Sequence, residues 1–499
     1  IHRAIGNVRT KYSKDRIYKT LIRQDSKLIE LERQLVTQKI SELLNDMIRD
    51  NGADKIGCLI SARSTNEELF LFQKLARGLG IKNIDHRTNE CDFSYQDNYP
   101  VMPSLGCDIS DLDSFDNIIL IGVNIKSEFP ILSVRLNQAV KKGTKIYSIN
   151  IDSSSEDFPL FFKKTVNNKD LVTFFTNEKT TLNFNKDQKT LVINGPAISR
   201  LSNQSDVLSI IHKYCLSIKA TLGILTDYCN STGAWISGNV PHREIAGVSI
   251  KEQGLNSYDM LSSEVSSYVL FNLEPELDFY ESKHIENSLK KSKCNIIFSN
   301  YLTPMIEKYA DIIIPIATFA ETKGSYINIE GKEQSFNNIV NLDKNIYEGW
   351  DILSQIIAVN NLGSYSYDAI REELIRSIND VDYSLNNLSN HSLNQDNKKN
   401  DDIFILSKRH IYKSDSIVRR SESLKMTEQS KFDKIYISKN LKDNIDQSII
   451  ESLHDFNVDD YQTRLVVDSN LSSNTIIYPS SDYEDKYRGP KSANIEQQT

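Results

Sequence analysis

The stretch that decides the reading is Tyr309–Gly331, YADIIIPIATFAETKGSYINIEG. Within it, Asp311–Pro315 is a run of apolar β-branched side chains opened by Asp and closed by Pro. Such a run predicts a strand buried on both faces that stops where it leaves its sheet. Glu321, Thr322, Lys323 and Gly324 supply a polar, glycine-permissive corner. Ser325–Ile329 then alternates before Glu330-Gly331 turns the chain again. In an open α/β sheet the carboxyl edge of such a strand is where a ligand crevice lies.

Upstream, Ser267–Pro315 predicts strands at Tyr268–Leu273 and Cys294–Ser299 separated by a helix over about Ile285–Lys291. Phe115–Asn150 has the same design: a strand at Asn117–Ile121, Gly122-Val123-Asn124, a helix over about Pro130–Lys141, Gly143, and a strand at Lys145–Ile149. A glycine between a strand and a helix N-terminus can hold an anionic group, and it is equally the residue of a tight turn, the reading these residues favour. The second copy has Asn272-Leu273-Glu274 where the first has Gly122, and a Leu with a carboxylate is expected to crowd and repel a pyrophosphate.

Nearer the N-terminus, Ile40, Leu43, Leu44, Met47 and Ile48 place an amphipathic helix over Gln38–Arg49, and Lys55–Ser61 reads as a buried strand. Ser64-Thr65 followed by Glu67-Glu68 is a capping-box pattern opening a helix that ends near Gly78 or Gly80, with a further strand at Asn83–Arg87. Residues 151–185 read as strands and loops rich in Phe, Gln204–Lys219 as a helix, and Asp351–Asn361 as a helix anchored by Trp350. Val381–Asp402 is dense in Asn, Ser, Asp and Lys and reads as a mobile linker. Short strands follow at Ile435–Ile437, Thr463–Val467 and Thr475–Tyr478, with Pro479–Thr499 a loose polar tail.

The order Ala310, Asp311, Pro315, Glu321, Thr322, Gly324, Asn328, Glu330, Gly331 and Gln334 resembles the signature of the molybdopterin oxidoreductase superfamily. The passage Leu222–Arg243, with Asn230, Gly233, Trp235, Gly238 and Pro241-His242-Arg243, is similar to that family's asparagine-x-x-glycine loop. Within the superfamily, roughly Arg16–Arg420 most resembles the large G subunit of bacterial respiratory complex I, an NADH:quinone oxidoreductase. The segments SKDRIYKTLIRQDSKLIEL, SARSTNEELFLFQKLARGLGIKNIDHR and SDSIVRRSESL carry this further likeness. It implies an α/β fold, with doubly wound parallel sheets of molybdopterin-oxidoreductase type in two lobes and a small C-terminal β-rich domain. The expected boundaries are 1–35 for a β-rich piece after an iron–sulfur region, 36–365 for the α/β core, 366–402 for a helix end and linker, and 403–499 for the β-rich domain. The resemblance also implies that iron–sulfur clusters belong to a portion upstream of this chain, which starts with Ile1. The partners implied are the other hydrophilic-arm subunits of complex I, on the cytoplasmic side of a bacterial inner membrane.

Composition narrows the remaining choices. A chain of 499 residues exceeds one core, and a net charge of -8 gives no electrostatic footprint for nucleic acid. Basic pairs such as Lys141-Lys142 and Arg419-Arg420 read as solvated surface. The apolar runs Ile118–Ile121 and Ile312–Ile316 fall far short of a membrane span. Cys58, Cys91, Cys107, Cys215, Cys229 and Cys294 share no C-x-x-C spacing, and the eight histidines are dispersed. Cys107 and Cys229 are the cysteines in loop positions, outside any molybdenum-ligand motif, and His242-Arg243 reads as a polar loop or a contact for an acidic partner or a ligand. No catalytic, cofactor-binding or metal-ligating residue is therefore expected in this chain. It reads as a cofactor-free scaffold with walls around an unoccupied crevice. The alternatives are a working molybdopterin oxidoreductase of formate-dehydrogenase type and a degraded remnant of the complex I G subunit.

Overall fold

The apolar run after Asp311 forms a strand, Ile312–Pro315, buried along its whole length inside a seven-stranded sheet. The computed structural model describes residues 13–152, 156–177, 182, 184, 187–379, 403–408, 414–427, 434–444, 457–458, 461–462, 464–479 and 491–493. The chain divides into two units: Ile1–Thr88, Asp227–Ser384 and Asp415–Ser423 form the first, and Asn89–Thr226, Leu385–Ser414 and Leu424–Thr499 the second.

In chain order the first unit supplies β1 (Leu21–Gln24), β2 (Lys27–Glu30), β3 (Ile56–Ile60) and β4 (Ile84–Asp85). The second unit then contributes β5 (Asn117–Ile121), β6 (Lys145–Asn150), β7 (Phe162–Thr165), β8 (Thr190–Asn194) and β9 (Thr221–Ile224). The chain returns to the first unit for β10 (Ser267–Phe271), β11 (Cys294–Ser299), β12 (Ile312–Pro315) and the hairpin β13 (Gly324–Ile327) and β14 (Glu333–Phe336).

The first sheet runs β2-β1-β12-β11-β10-β3-β4, parallel from β12 to β4, with β1 antiparallel at its side. The second runs β7-β6-β5-β8-β9 and is parallel throughout. In both, successive strands are added first to one side and then to the other. The direction reverses between β3 and β10 in the first sheet and between β5 and β8 in the second, which makes the architecture doubly wound.

Burial on both faces explains the continuous apolar runs. Ile312 and Ile314 pack into one core with Val36, Ile40 and Leu44 of the helix Arg33–Asn51. Ile313 faces the other way, into a core with Ile285 and Leu289 of the helix Ser282–Lys291. Each such side chain contributes about 1.5–3 kcal/mol on burial, so a one-residue slip of β12 would forfeit the contacts of three isoleucines at once.

Several local expectations change in the structure. The strand at Asn83–Arg87 shrinks to Ile84–Asp85, because the Asp85 carboxylate accepts from the backbone of His86 and Arg87 and from the Arg87 guanidinium, turning the chain out of the sheet. A helix, Asn168–Thr176, lies in the stretch read as strands and loops; Asn167 caps it, and Leu171, Phe174 and Phe175 are buried. β15 (Ile403–Lys408), β16 (Lys434–Ser438), a short hairpin of β17 (Asn457–Val458) and β18 (Tyr461–Gln462), β19 (Arg464–Asp468), β20 (Thr475–Pro479) and β21 (Lys491–Ala493) follow. Five of these form a sheet ordered β19-β16-β20-β15-β21, whose Phe404 and Ile477, with Leu471 from the turn between β19 and β20, join the second unit's core. β21 falls in the tail expected to be loose, while the linker at 381–402 lies outside the described residues. Among the described residues no helix is long and apolar enough to cross a membrane.

Candidate functional site

Beyond the carboxyl end of β12, the signature residues Glu321, Thr322, Gly324, Asn328 and Gly331 are held by contacts within the chain. Glu321 Oε2 lies 2.7 Å from Arg16 Nη2, with both side chains essentially inaccessible, and it also accepts from Thr318 N and Oγ1. Thr322 Oγ1 donates to Glu348, 3.0 Å away. Gly324 is required by a close approach: a Cβ there would sit 2.5 Å from Thr65 Cγ2 and 2.8 Å from Thr65 Cβ. Asn328 Oδ1 accepts from the backbone N–H of Glu330 and Lys332, which closes the β13–β14 turn, and Gly331 adopts φ 78° there. Asn230 is fully buried, donating to Ser64 O (2.8 Å) and accepting from Ile327 N (2.9 Å).

The helix N-terminus beyond β3 is filled by the chain itself. Thr65 caps the helix Asn66–Gly78 in the capping box the sequence predicts, with Glu68 Oε2 accepting from Thr65 N at 2.8 Å. Glu67, also buried, accepts from Ser325 N and Oγ and from Arg371. Burial, aided by the neighbouring charges of Glu67 and Glu348, pushes the Glu68 carboxyl up to about 7 against the hydrogen bonds from Thr65.

At the β3/β10 reversal, where this fold class holds its ligands, a charge network spans the gap. Arg63, following β3, donates through Nη1 to Asp278 Oδ1 at 3.0 Å and through Nη2 to Asp278 Oδ2 and Asn272 O. Arg419 donates to Glu274 Oε2 (2.7 Å) and Asp278 Oδ1 (2.8 Å), and Arg420 pairs with Glu274 and Asp15. Burial opposes ionisation of Asp278, yet Arg419 and Arg63 override it and hold the carboxyl well below the usual carboxylate range. Arg419 is 7% exposed, so the expectation that Arg419-Arg420 is solvated surface fails. Lys142, 64% exposed at its side chain, is solvated as expected.

Asn272 takes φ 55° and Gly122 φ 60° at the same point of the two βαβ repeats. Each donates its N–H across the sheet, Asn272 to Phe298 O and Gly122 to Ile149 O. Asn tolerates this left-handed conformation nearly as well as glycine, so the turn is kept although the glycine is lost. Leu273 does not crowd the edge, because it is buried in the core; the Glu274 carboxylate, also buried, is taken up by Arg419 and Arg420. In the first copy, Asn124 caps the following turn of helix by accepting from Ser127 N, Asn150 clamps Val123 N and O, and a Cβ on Gly195 would meet Val123 Cβ at 2.3 Å.

These residues do not fit a pyrophosphate at either reversal. The loop at Gly122 is closed by packing, and the edge at Glu274 presents carboxylates whose cationic neighbours are already paired. The crevice expected to be unoccupied is lined at β10 by the chain's own ionic groups. His242 and Arg243 do not form an exposed polar loop: they are 3% and 8% exposed, and both pack on Trp235 with His86 and Arg87. Trp350 anchors its helix through Tyr367, their ring centroids 5.1 Å apart. Cys58 is buried, and desolvation raises its thiol to about 12. Cys107 is partly exposed and Cys229 exposed.

Fold and site together define a doubly wound α/β protein whose β3/β10 edge is occupied by ion pairs of its own. The family profile of molybdopterin oxidoreductase matches residues 16–359, and the chain belongs to that family. The F420-dependent formate dehydrogenase subunit alpha of Methanocaldococcus jannaschii is 23% identical over 455 residues, covering 74% of this chain. The G subunit of the NADH-quinone oxidoreductase of Rickettsia felis is 22% identical over 317 residues, covering 63%. The chain spans 66% of the length of the first relative and 43% of the second. Acetylene hydratase from Pelobacter acetylenicus shares the fold with a TM-score of 0.60 at 11% identity, over 95% of this chain and 86% of that one.

Proposed function

We propose that this chain is the molybdopterin-oxidoreductase-like portion of the G subunit in a respiratory NADH:quinone oxidoreductase, where it acts as a cofactor-free scaffold. The observation that carries the reading is the ionic closure of the β3/β10 edge by Arg63, Asp278, Arg419 and Glu274. That closure supports a fold kept for its shape after its ligand position was given over to internal contacts. The likeness to the Rickettsia G subunit supports the choice of complex. Electron-carrying clusters then belong to a portion of the protein upstream of this one. The chain docks the other hydrophilic-arm subunits on the cytoplasmic side of the inner membrane and has no catalytic group of its own.

A second reading, a formate-dehydrogenase-type enzyme, is favoured by the larger share of the chain that aligns with the archaeal alpha subunit. The two separate in one preparation of the tagged chain from its native host. Co-purification with the flavin-bearing subunit and its hydrophilic neighbours, without molybdenum by elemental analysis, is the expected result. Stoichiometric molybdenum with formate oxidation, and no flavin-bearing partner, would overturn the scaffold reading in favour of the enzyme.

A further inference from the structure

We propose that the crevice at the β3/β10 reversal is a guanidinium-binding site, fitted to an arginine-bearing peptide, which the chain fills in cis with its own segment Asp415–Ser423. Three carboxylates, Asp15, Glu274 and Asp278, converge on the crevice. The guanidinium that resides there, Arg63, offsets one of them. Two negative charges remain, offset by the two positive charges of Arg419 and Arg420. The neighbouring Glu276 takes no part: it accepts from Thr303 Oγ1 and Met305 N, and burial pushes its carboxyl up.

One side of the cradle is held independently of its occupant: Asp278 Oδ2 accepts from Glu274 N at 2.8 Å and Thr88 Oγ1 donates to the Asp278 carbonyl, while the Glu274 carboxylate is held by Arg419 and Arg420 themselves. Each guanidinium is read at several points. Arg419 meets Glu274, Asp278 and the carbonyl of Leu277, while Arg420 meets Glu274 and Asp15 and lies 3.8 Å from the centroid of the Tyr301 ring. Forked donors on paired carboxylates with an aromatic face select arginine over lysine. The occupant is likewise shaped for the site: Asp415 Oδ1 accepts from Ile417 N and Val418 N, both at 2.9 Å, which forms a compact turn, and Val418 is 4% exposed. A fold class that recognises anions at this edge therefore recognises a cation here. The inference holds whichever redox complex the chain serves, so its failure and that of the proposed function are separate outcomes.

The test uses the full chain carrying Arg419→Gln and Arg420→Gln, and a labelled synthetic peptide DSIVRRSES copied from Asp415–Ser423. Anisotropy should show the peptide binding the double variant and not the wild type, whose site is filled. Binding should weaken about tenfold for each arginine changed to glutamine in the peptide. No binding to a variant with native circular dichroism, or equal binding of the glutamine peptide, overturns the proposal. Should the variant fail to fold, hydrogen exchange on the wild type decides. Added arginine hydrochloride should accelerate exchange of amides in Asp415–Ser423 more than sodium chloride of equal ionic strength, and equal acceleration by the two salts overturns the proposal.

Discussion

Replacing Glu68 with Gln should stabilise the first unit, and by an amount that depends on pH. In the folded chain Glu68 is buried, and desolvation together with Glu67 and Glu348 raises its carboxyl from 4.5 to about 7. Between those values the native chain holds a proton that the unfolded chain has released, so stability falls as pH rises through the window. At about 1.4 kcal/mol per pH unit, the full interval corresponds to about 3 kcal/mol at pH 8 and to almost nothing at pH 4.5. Glutamine keeps the capping box, since its carbonyl oxygen can accept from Thr65 N as Glu68 does at 2.8 Å, and it carries no charge to desolvate. The difference between variant and wild type should therefore grow from about 1 kcal/mol at pH 5 to about 3 kcal/mol at pH 8. Both tryptophans of the chain, Trp235 and Trp350, lie in the first unit, so urea titrations followed by tryptophan fluorescence, excited where tyrosine does not absorb, report on that unit. A difference that stays constant from pH 5 to 8, or a variant less stable than wild type at pH 8, would refute the reasoning.

His86 should show the opposite dependence. Burial lowers its imidazole to about 4, so the unfolded chain takes up a proton first, and stability is lost as pH falls from about 6.5 towards 4; in His86→Gln that acid-side loss, about 3 kcal/mol by the same conversion, should disappear from the fluorescence-detected urea midpoint. Gly324→Ala drives a Cβ into the Thr65 side chain and should cost about 1–3 kcal/mol of first-unit stability in the same titration. Arg16→Met strands the buried carboxylate of Glu321 and should cost about 3–5 kcal/mol. Adding Glu321→Gln should recover much of that loss, and a double variant as unstable as the single one would show that the pair is not the cause.

The sheets are legible in the sequence because parallel strands covered on both faces must be apolar along their whole length. Asn117–Ile121 and Ile312–Pro315 therefore announce themselves without any partner in view. The capping box at Thr65 is legible for the same local reason. The site is not. Arg63 meets Asp278 across 215 residues of sequence, Arg16 meets Glu321 across 305, and no periodicity links such positions. Arg419-Arg420 misleads because a basic pair in a polar stretch is usually solvated, and its carboxylates come from two distant parts of the chain. Asn272 reads as the loss of a feature, whereas its tolerance of positive φ preserves the turn. The helix Asn168–Thr176 carries a helical signal, Asn167 at its cap and Leu171, Phe174 and Phe175 at i, i+3 and i+4, but it is short and built from strand-favouring phenylalanines, which masks it.

The pairing of Arg420 with Asp15 joins positions 405 residues apart. A chain emerging from the ribosome completes β12 long before it has made either arginine, so for much of its synthesis three carboxylates lie at the edge of a finished sheet without their full complement of positive charge. The first unit is sealed only when residue 420 arrives. Truncations that stop before Asp415 should for that reason leave an acid-lined opening in an otherwise assembled sheet, available to any cationic segment that reaches it first.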